Sequence, residues 1–436
     1  MQTNLIPARR PNPFRVFASR NYALYFSGQL VSQVGTWMQQ IALSWLTYKL
    51  TGSALMLAVV GVSSQLPALV VMPFAGVLSD RFNRHRILLG TQLAAMCQAA
   101  VLAWLALSGN LLVWHLVALG LVIGVITAFD MPVRSAFVTS LVARREDLPA
   151  AIAMNSSLMN VSRLLGPALA GFVVAAFGEG ICFAINAVSY VFVLAALLLI
   201  KGNFAPQPRD KRSSVIQELA EGLRYAAGIT PIRAPILLLA LFGFGGMAYA
   251  TLLPVFVKEI GGNANTLGYL SSASAAGSIL GTAVVATRKS VLGMGKLAIV
   301  ACFVYAAGLF VFAFVDTLSS ALPVLVVLGA AMMLQLGCCN TILQTVVEDD
   351  KRGRVMSLFT MAFMATVPLG ALCAGAIATH FGFQAMIFCC AGWCLLVALA
   401  FTHQMPRLRQ QTRAIYIQRG IIESDEDLEL LTKSQA

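Results

Sequence analysis

The chain has 436 residues, of which 58% are hydrophobic and 11% charged, with a formal net charge of +12. A soluble domain devotes about 25% of its residues to charge, so this composition excludes an ordinary soluble enzyme or binding domain and indicates an integral membrane protein. The positive charge does not indicate a nucleic-acid partner, because the basic residues sit in short loops between apolar runs, where they set membrane topology.

The first twenty residues carry Arg9, Arg10, Arg15 and Arg20 and no apolar h-region. The first span is therefore read as retained rather than cleaved. Apolar runs follow at about 22–48, 53–78, 87–107, 111–136, 150–176 and 180–200, and after a polar gap at 235–257, 266–287, 295–315, 319–347, 355–379 and 382–402. Each reaches the roughly 20 residues that a spanning helix needs. The expected organisation is an N-terminal segment (1–20), a six-helix bundle (21–200), a linker (201–233), a second six-helix bundle (234–402) and a tail (403–436). The expected fold class is an all-α membrane protein with twelve transmembrane helices in two pseudo-symmetric bundles. The linker holds Arg209, Asp210, Lys211 and Arg212, then an amphipathic stretch from Val215 to Leu223, expected to lie along the membrane face. With both tails on one side, the opposite loops hold only Lys49 and Lys258. That asymmetry places both termini and the linker in the cytoplasm.

The halves repeat. Gly166, Ala170-Gly171 and Phe177-Gly178 recur as Gly370, Ala374-Gly375 and Phe381-Gly382 at a constant offset of 204 residues, at the ends of runs five and eleven. Parallel duplicated halves with a site between them are a common plan of secondary transporters.

Run one carries a polar stripe. Gln29, Gln33, Thr36, Gln40, Ser44 and Thr47 fall within an arc of about 80° at helical spacing. Amides facing lipid are costly, so the stripe faces water or protein: a cavity wall is the preferred reading, an interhelical hydrogen-bond seam the alternative. Trp37 and Trp45 flank it. Run seven is interrupted by Gly243, Gly245 and Gly246 before Tyr249, where a broken gating helix is expected. Run ten offers Gln335, Asn340 and Gln344. Arg163 is the charge nearest the middle of a run, where it costs about 2.5–3.5 kcal/mol on insertion scales. It is read either as an anion or substrate contact or as a satisfied structural arginine. Asp130 and Arg134 stand at i, i+4 and can pair, or reach the basic turn Gly76–Arg86, as a latch. The nine cysteines all lie in apolar runs and read as packing residues. Glu179, Glu259 and Asp316 read as solvated, and the acidic cluster from Glu423 to Glu429 as a solvated tail. The four histidines are scattered and no P-loop is present. No enzymatic activity, cofactor or metal is expected.

The turn carries Gly76-x-Leu78-x-Asp80-Arg81-x-x-Arg84-x-Arg86, which resembles the loop motif between helices two and three of the major facilitator superfamily. Asn83 stands where glycine is usual and His85 where a second basic residue is usual; Asn83 is expected to tolerate a left-handed turn. The stretch from Arg163 through Gly166-Pro167 to Gly171 is similar to the helix-five motif of the family's drug/proton antiporters. Asp130-Met131-Pro132-x-Arg134-x-Ala136-Phe137, with Asn340-Thr341-x-x-Gln344 and Arg352-Gly353-Arg354, is similar to the enterobactin-exporter-like group. The resemblance covers Asn21 to about Thr402. It implies a monomeric exporter of a small molecule, a siderophore, drug or other secreted metabolite. Transport would run across the cytoplasmic (inner) membrane by alternating access, driven by a proton gradient within the lipid bilayer. An importer or lipid flippase of the same fold, and a non-transporting receptor or scaffold, are the alternatives. The expected cavity is built from Gln29, Gln33, Trp37, Gln40, Arg163, Tyr249, Asn340 and Gln344. The expected latch is built from Gly76, Asp80, Arg81, Arg84, Arg86, Asp130 and Arg134, with Asp80 approaching the start of run eleven near Gly353.

Overall fold

A computed structural model of the chain describes residues 13–142, 144–202, 204, 215–288, 290–419 and 422, without the side chains of 72–81, 215–219 and four single positions. The described residues form fifteen α-helices: α1 Arg20–Thr51, α2 Ala54–Arg81, α3 Arg84–Leu107, α4 Val113–Leu141, α5 Leu148–Phe177, α6 Glu179–Leu199, α7 Val215–Gly228, α8 Thr230–Gly246, α9 Ala248–Thr251, α10 Leu253–Glu259, α11 Ala264–Ala286, α12 Met294–Phe312, α13 Leu318–Val346, α14 Arg352–Phe381 and α15 Phe383–Gln418. Eleven spans among them are long and apolar enough to cross a membrane. α1 is long enough at 32 residues, but its polar stripe lowers its hydropathy. An α-helix satisfies every backbone group internally, as hydrocarbon surroundings demand.

Run seven is broken, as its glycines predict. α8 stops at Gly246, α9 occupies one turn, and α10 restarts with Pro254 in its first turn. The glycines do more than loosen the helix. A Cβ on Gly245 would strike the Trp393 indole. Two carbonyls near the break are taken by side chains: Trp393 Nε1 donates to Leu241 O at 2.7 Å and Tyr305 Oη donates to Gly246 O at 2.6 Å. α15 runs through Gln418 rather than ending near 402. Pro406 does not stop it, so the first part of the expected tail is helix.

Contacts divide the chain into two compact units. The first is Met1–Leu50, Ser63–Asp210 and Asn263–Ser272; the second is Thr51–Val62, Lys211–Gly262 and Ala273–Ala436. Each unit thus includes one short helix end from the opposite half of the sequence. In the first unit, the start of α11 lies against α5: a Cβ on Gly171 would sit 2.8 Å from Ala264 O, and Ser272 Oγ donates to Leu164 O at 2.8 Å. In the second unit, the start of α2 lies against α14: a Cβ on Gly375 would sit 2.9 Å from Ala58 Cβ, and Leu55 N–H donates to Thr379 Oγ1 at 3.2 Å. Gly171 and Gly375 are repeat mates, so the duplication preserves a close helix approach and not merely a residue type. Gly178 and Gly382 end α5 and α14 with φ 84°, ψ 169° and φ 88°, ψ 165°. That region is essentially restricted to glycine, which accounts for the repeated Phe-Gly.

The linker helix α7 packs on the start of α14. A Cβ on Gly222 would meet Arg354 Cβ at 3.2 Å, Glu221 pairs with Arg354 at 3.1 Å, and Lys351 Nζ lies 4.5 Å from the centre of the Tyr225 ring.

Candidate functional site

In the first unit the candidate site is built where α5 crosses α1. Met159, Arg163 and Gly166 stand at i, i+4 and i+7 on α5, one face of a helix. Gln33 Nε2 reaches the Met159 sulfur at 2.8 Å, and the Arg163 guanidinium lies over the Trp37 ring, 5.4 Å from its centre. A cation over an indole face is held by the ring quadrupole. The approach depends on Gly166, because a Cβ there would strike Trp37 Cβ. The helix-five glycine therefore sets the depth at which the arginine meets the tryptophan. Along α1, Gln29 and Gln33 are buried whereas Gln40 is exposed. Gln29 Nε2, Tyr25 Oη and Ser162 Oγ are buried without a hydrogen-bond partner among the described residues. Each such group costs about 1–3 kcal/mol.

The remaining stripe residues make hydrogen bonds within the protein. Thr36 shares a hydrogen bond with Tyr190 Oη at 3.3 Å, while Ser44 and Thr47 bond back to their own helix. A second polar face, which sequence reasoning missed, lies beside the stripe. Gln39 Nε2 donates to Gln98 Oε1 at 3.1 Å, Asn186 Nδ2 donates to Gln39 Oε1 at 2.7 Å, and Gln98 Nε2 donates to Leu119 O at 3.3 Å. This buried seam joins α1, α3, α4 and α6. Gly35 gives α6 room, since a Cβ there would sit 2.6 Å from Asn186 Oδ1. The signal was a Gln39-Gln40 pair, with Gln98 and Asn186 isolated in apolar runs.

Asp130 and Arg134 pair at 3.4 Å on α4. The carboxylate is buried and also accepts from Thr91 Oγ1 at 2.9 Å and Gln92 Nε2 at 2.7 Å, which fastens α4 to α3. Of Arg84 and Arg86, both expected to meet Asp130 from the turn, Arg86 is exposed and Arg84 half-buried. The latch residues Gly76, Asp80 and Arg81 lie outside the described side chains, and Arg84 begins α3. Asn83 corrects one expectation. Its φ is −65°, and it is the N-cap of α3, with Oδ1 accepting from the N–H groups of His85 at 3.0 Å and Arg86 at 3.3 Å. His85 is no longer a weakened basic residue of the motif. Its Nε2 lies 2.7 Å from Leu197 O in the last turn of α6, and its ring stacks on Phe204. It satisfies one of the four carbonyls that a helix C-terminus leaves open.

In the second unit, Tyr249 is buried among Tyr305 and Phe312, with its hydroxyl 3.4 Å from Ser274 Oγ. Asn340 Oδ1 accepts from Gln344 Nε2 one turn further along α13, and Gln335 is buried with its amide 3.6 Å from Cys339 Sγ. Asn340 and Gln344 thus form a polar pair on one helix face, whereas Tyr249 belongs to an aromatic core.

One of the three acids read as solvated is not. Glu179 pairs with Lys49 at 2.9 Å and its side chain is only 12% exposed. Glu259 stays exposed but lines the edge of a cavity of ≈ 320 Å³ with Asp316, Phe256 and Phe383, and its partial burial pushes its carboxyl above the usual carboxylate range. A raised value means that the folded state prefers the proton. Glu259 therefore contributes full stability below the unfolded carboxylate pKa and loses it as pH rises through the folded value. Glu259→Gln is expected to melt slightly above the native protein near pH 8, by an amount that solvent screening keeps small, and to match it near pH 4. A pH-independent difference between the two would refute this.

Residues 12–426 match the family model described as transmembrane secretion effector. The staphyloferrin A transporter of Staphylococcus aureus is 24% identical over 361 residues, covering 82% of this chain and 89% of that protein. Macrolide efflux protein A of Streptococcus pyogenes is 24% identical over 373 residues, with coverage of 82% and 89%. Among solved structures, a bacterial homologue of the human lysosomal transporter Spinster, in an inward-facing and unoccupied conformation, superposes with a TM-score of 0.68 at 14% identity, covering 91% of this chain and 98% of that one. The helical architecture, the duplicated glycines and a family match over nearly the whole length agree: the chain belongs to the transmembrane secretion effector family of major facilitator transporters.

Proposed function

We propose that this transporter is a secondary active exporter. It carries a polar small molecule, anionic or neutral, out across the cytoplasmic membrane by alternating access in exchange for protons, working as a monomer with both termini in the cytoplasm. The observation that carries the reading is the Arg163–Trp37 pair. It presents a guanidinium and an aromatic face beside the buried amides of Gln29 and Gln33, chemistry suited to a carboxylate or a planar polar solute. Two relatives are named for staphyloferrin A and for macrolide efflux, which supports a secreted small molecule as cargo. The chain has no P-loop, which supports a gradient as the drive. The Lys/Arg asymmetry supports the sidedness.

The test uses everted membrane vesicles and a solute found by screening a deletion strain for retained metabolites and for drug sensitivity. Accumulation in everted vesicles that collapses with a protonophore is the expected result. Uptake only into right-side-out vesicles would make the protein an importer. Phospholipid transfer between leaflets would make it a flippase, and binding without gradient-driven flux would make it a receptor.

A further inference from the structure

The C-terminal half of α15 has a face that the transport reading does not use. Phe401, Met405, Leu408, Thr412 and Tyr416 recur at helical steps and line a cavity of ≈ 380 Å³ in the second unit. That volume lies within the range of about 300–1,000 Å³ typical of ligand pockets. Its opposite wall is Pro235 and Leu238 of α8 and Ile299 of α12, all buried. The floor is therefore apolar. The rim is cationic. Arg409 and Arg413 flank the apolar face of α15, Lys296 stands in the first turn of α12, and all three are exposed. Among the described residues no carboxylate lines the cavity. It sits where the apolar part of α15 gives way to the charged segment that begins at Arg407, the level at which a bilayer passes from acyl chains to headgroups.

We propose that this cavity binds an anionic phospholipid, with its phosphate at Lys296 and Arg409 and an acyl chain against the Leu238–Ile299 wall. A free inorganic anion would use the rim and leave the apolar floor without purpose. A neutral lipid would use the floor and make no use of the Lys296 and Arg409 charges. Only an amphiphile of negative headgroup matches both halves, and basic pockets between helices at a membrane face recognise such headgroups. The site makes transport responsive to the anionic content of the surrounding leaflet, because α8, which forms one wall, leads directly into the broken segment at Gly246.

The experiment is native mass spectrometry of the full-length protein in mild detergent, with phosphatidylglycerol, cardiolipin or phosphatidylcholine added, alongside the melting temperature. The native protein and an Arg407→Gln control, which removes a charge outside the cavity lining, are expected to retain the anionic lipids. The Lys296→Gln/Arg409→Gln double variant is expected to retain roughly thirtyfold less, the order that follows from two lost surface charges. The single variants, both at exposed positions, report the same trend if the double variant cannot be purified. Equal retention of anionic lipid by native and double-variant protein would overturn the proposal, as would equal retention of phosphatidylcholine by the native protein. A melting shift produced as well by millimolar inorganic phosphate would mark a simple anion site and overturn it. Lipid binding that appears only after removal of residues 423–436 would identify the acidic segment from Glu423 to Glu429 as the occupant, and would likewise overturn it.

Discussion

Arg163→Ala is expected to reach the membrane folded and to transport at background rate. The reasoning separates fold from function. A guanidinium near the middle of a span costs about 2.5–3.5 kcal/mol to insert on translocon scales, and a cation–π contact offsets about 0.5–2 kcal/mol of that. Truncation therefore removes a cost as well as a contact, and the bundle is expected to tolerate it. What truncation also removes is the positive charge held over Trp37 beside the polar face of α1. Arg163→Lys keeps the charge without the planar fork that stacks on an indole and grips a carboxylate in two places, so it is expected to retain weak transport with reduced solute affinity. Trp37→Ala should resemble the lysine variant. Expression and monodispersity are measured in detergent, and flux is measured in everted vesicles. Normal flux through a well-expressed Arg163→Ala would eliminate this arginine from the solute path.

The spans were legible because hydrocarbon forces each crossing segment to be long, apolar and helical. The duplication was legible because Gly178 and Gly382 end their helices in a conformation that other residues avoid, so the Phe-Gly signature survives in both halves. The break in run seven was legible from Gly243, Gly245 and Gly246. Contacts between helices were much less so. Helical period tells which residues share a face of one helix, and it is silent about which other helix that face meets. Gln98 and Asn186 each look like a lone polar residue in an apolar run, and only folding brings them to Gln39. The same holds for Lys49 and Glu179, which are 130 positions apart in the chain. Asn83 was misread for a different reason. Comparison with a glycine-containing motif drew attention to left-handed backbone, while the residue's own preference for helix N-caps pointed to the role it has. Arg163 with Trp37 lay between these cases: both residues were singled out, but their stacking rests on Gly166, whose importance appears only once α1 and α5 are in contact.

Asp130→Ala is expected to be among the most destabilising single substitutions in the first unit, by up to about 3–5 kcal/mol, because it leaves the half-buried Arg134 charge without its partner. It also strands the Thr91 hydroxyl and the Gln92 amide, which both donate to the same carboxylate oxygen. Asp130→Asn keeps an acceptor for those two groups and loses only the ion pair, so it should cost less. The double variant Asp130→Ala/Arg134→Met removes both charges together, and a buried pair replaced by apolar groups is often neutral or stabilising. It should recover most of the stability lost in Asp130→Ala, and a coupling energy near zero in the mutant cycle would refute the pairing. The same double variant separates a structural clasp from a role in coupling. If the four groups only fasten α4 to α3, the refolded double variant transports with the native response to a pH gradient. If the carboxylate exchanges its proton during the cycle, the double variant is stable and still binds solute, but its flux no longer follows the gradient. Stability restored without gradient dependence would move Asp130 from the framework of the first unit into its mechanism.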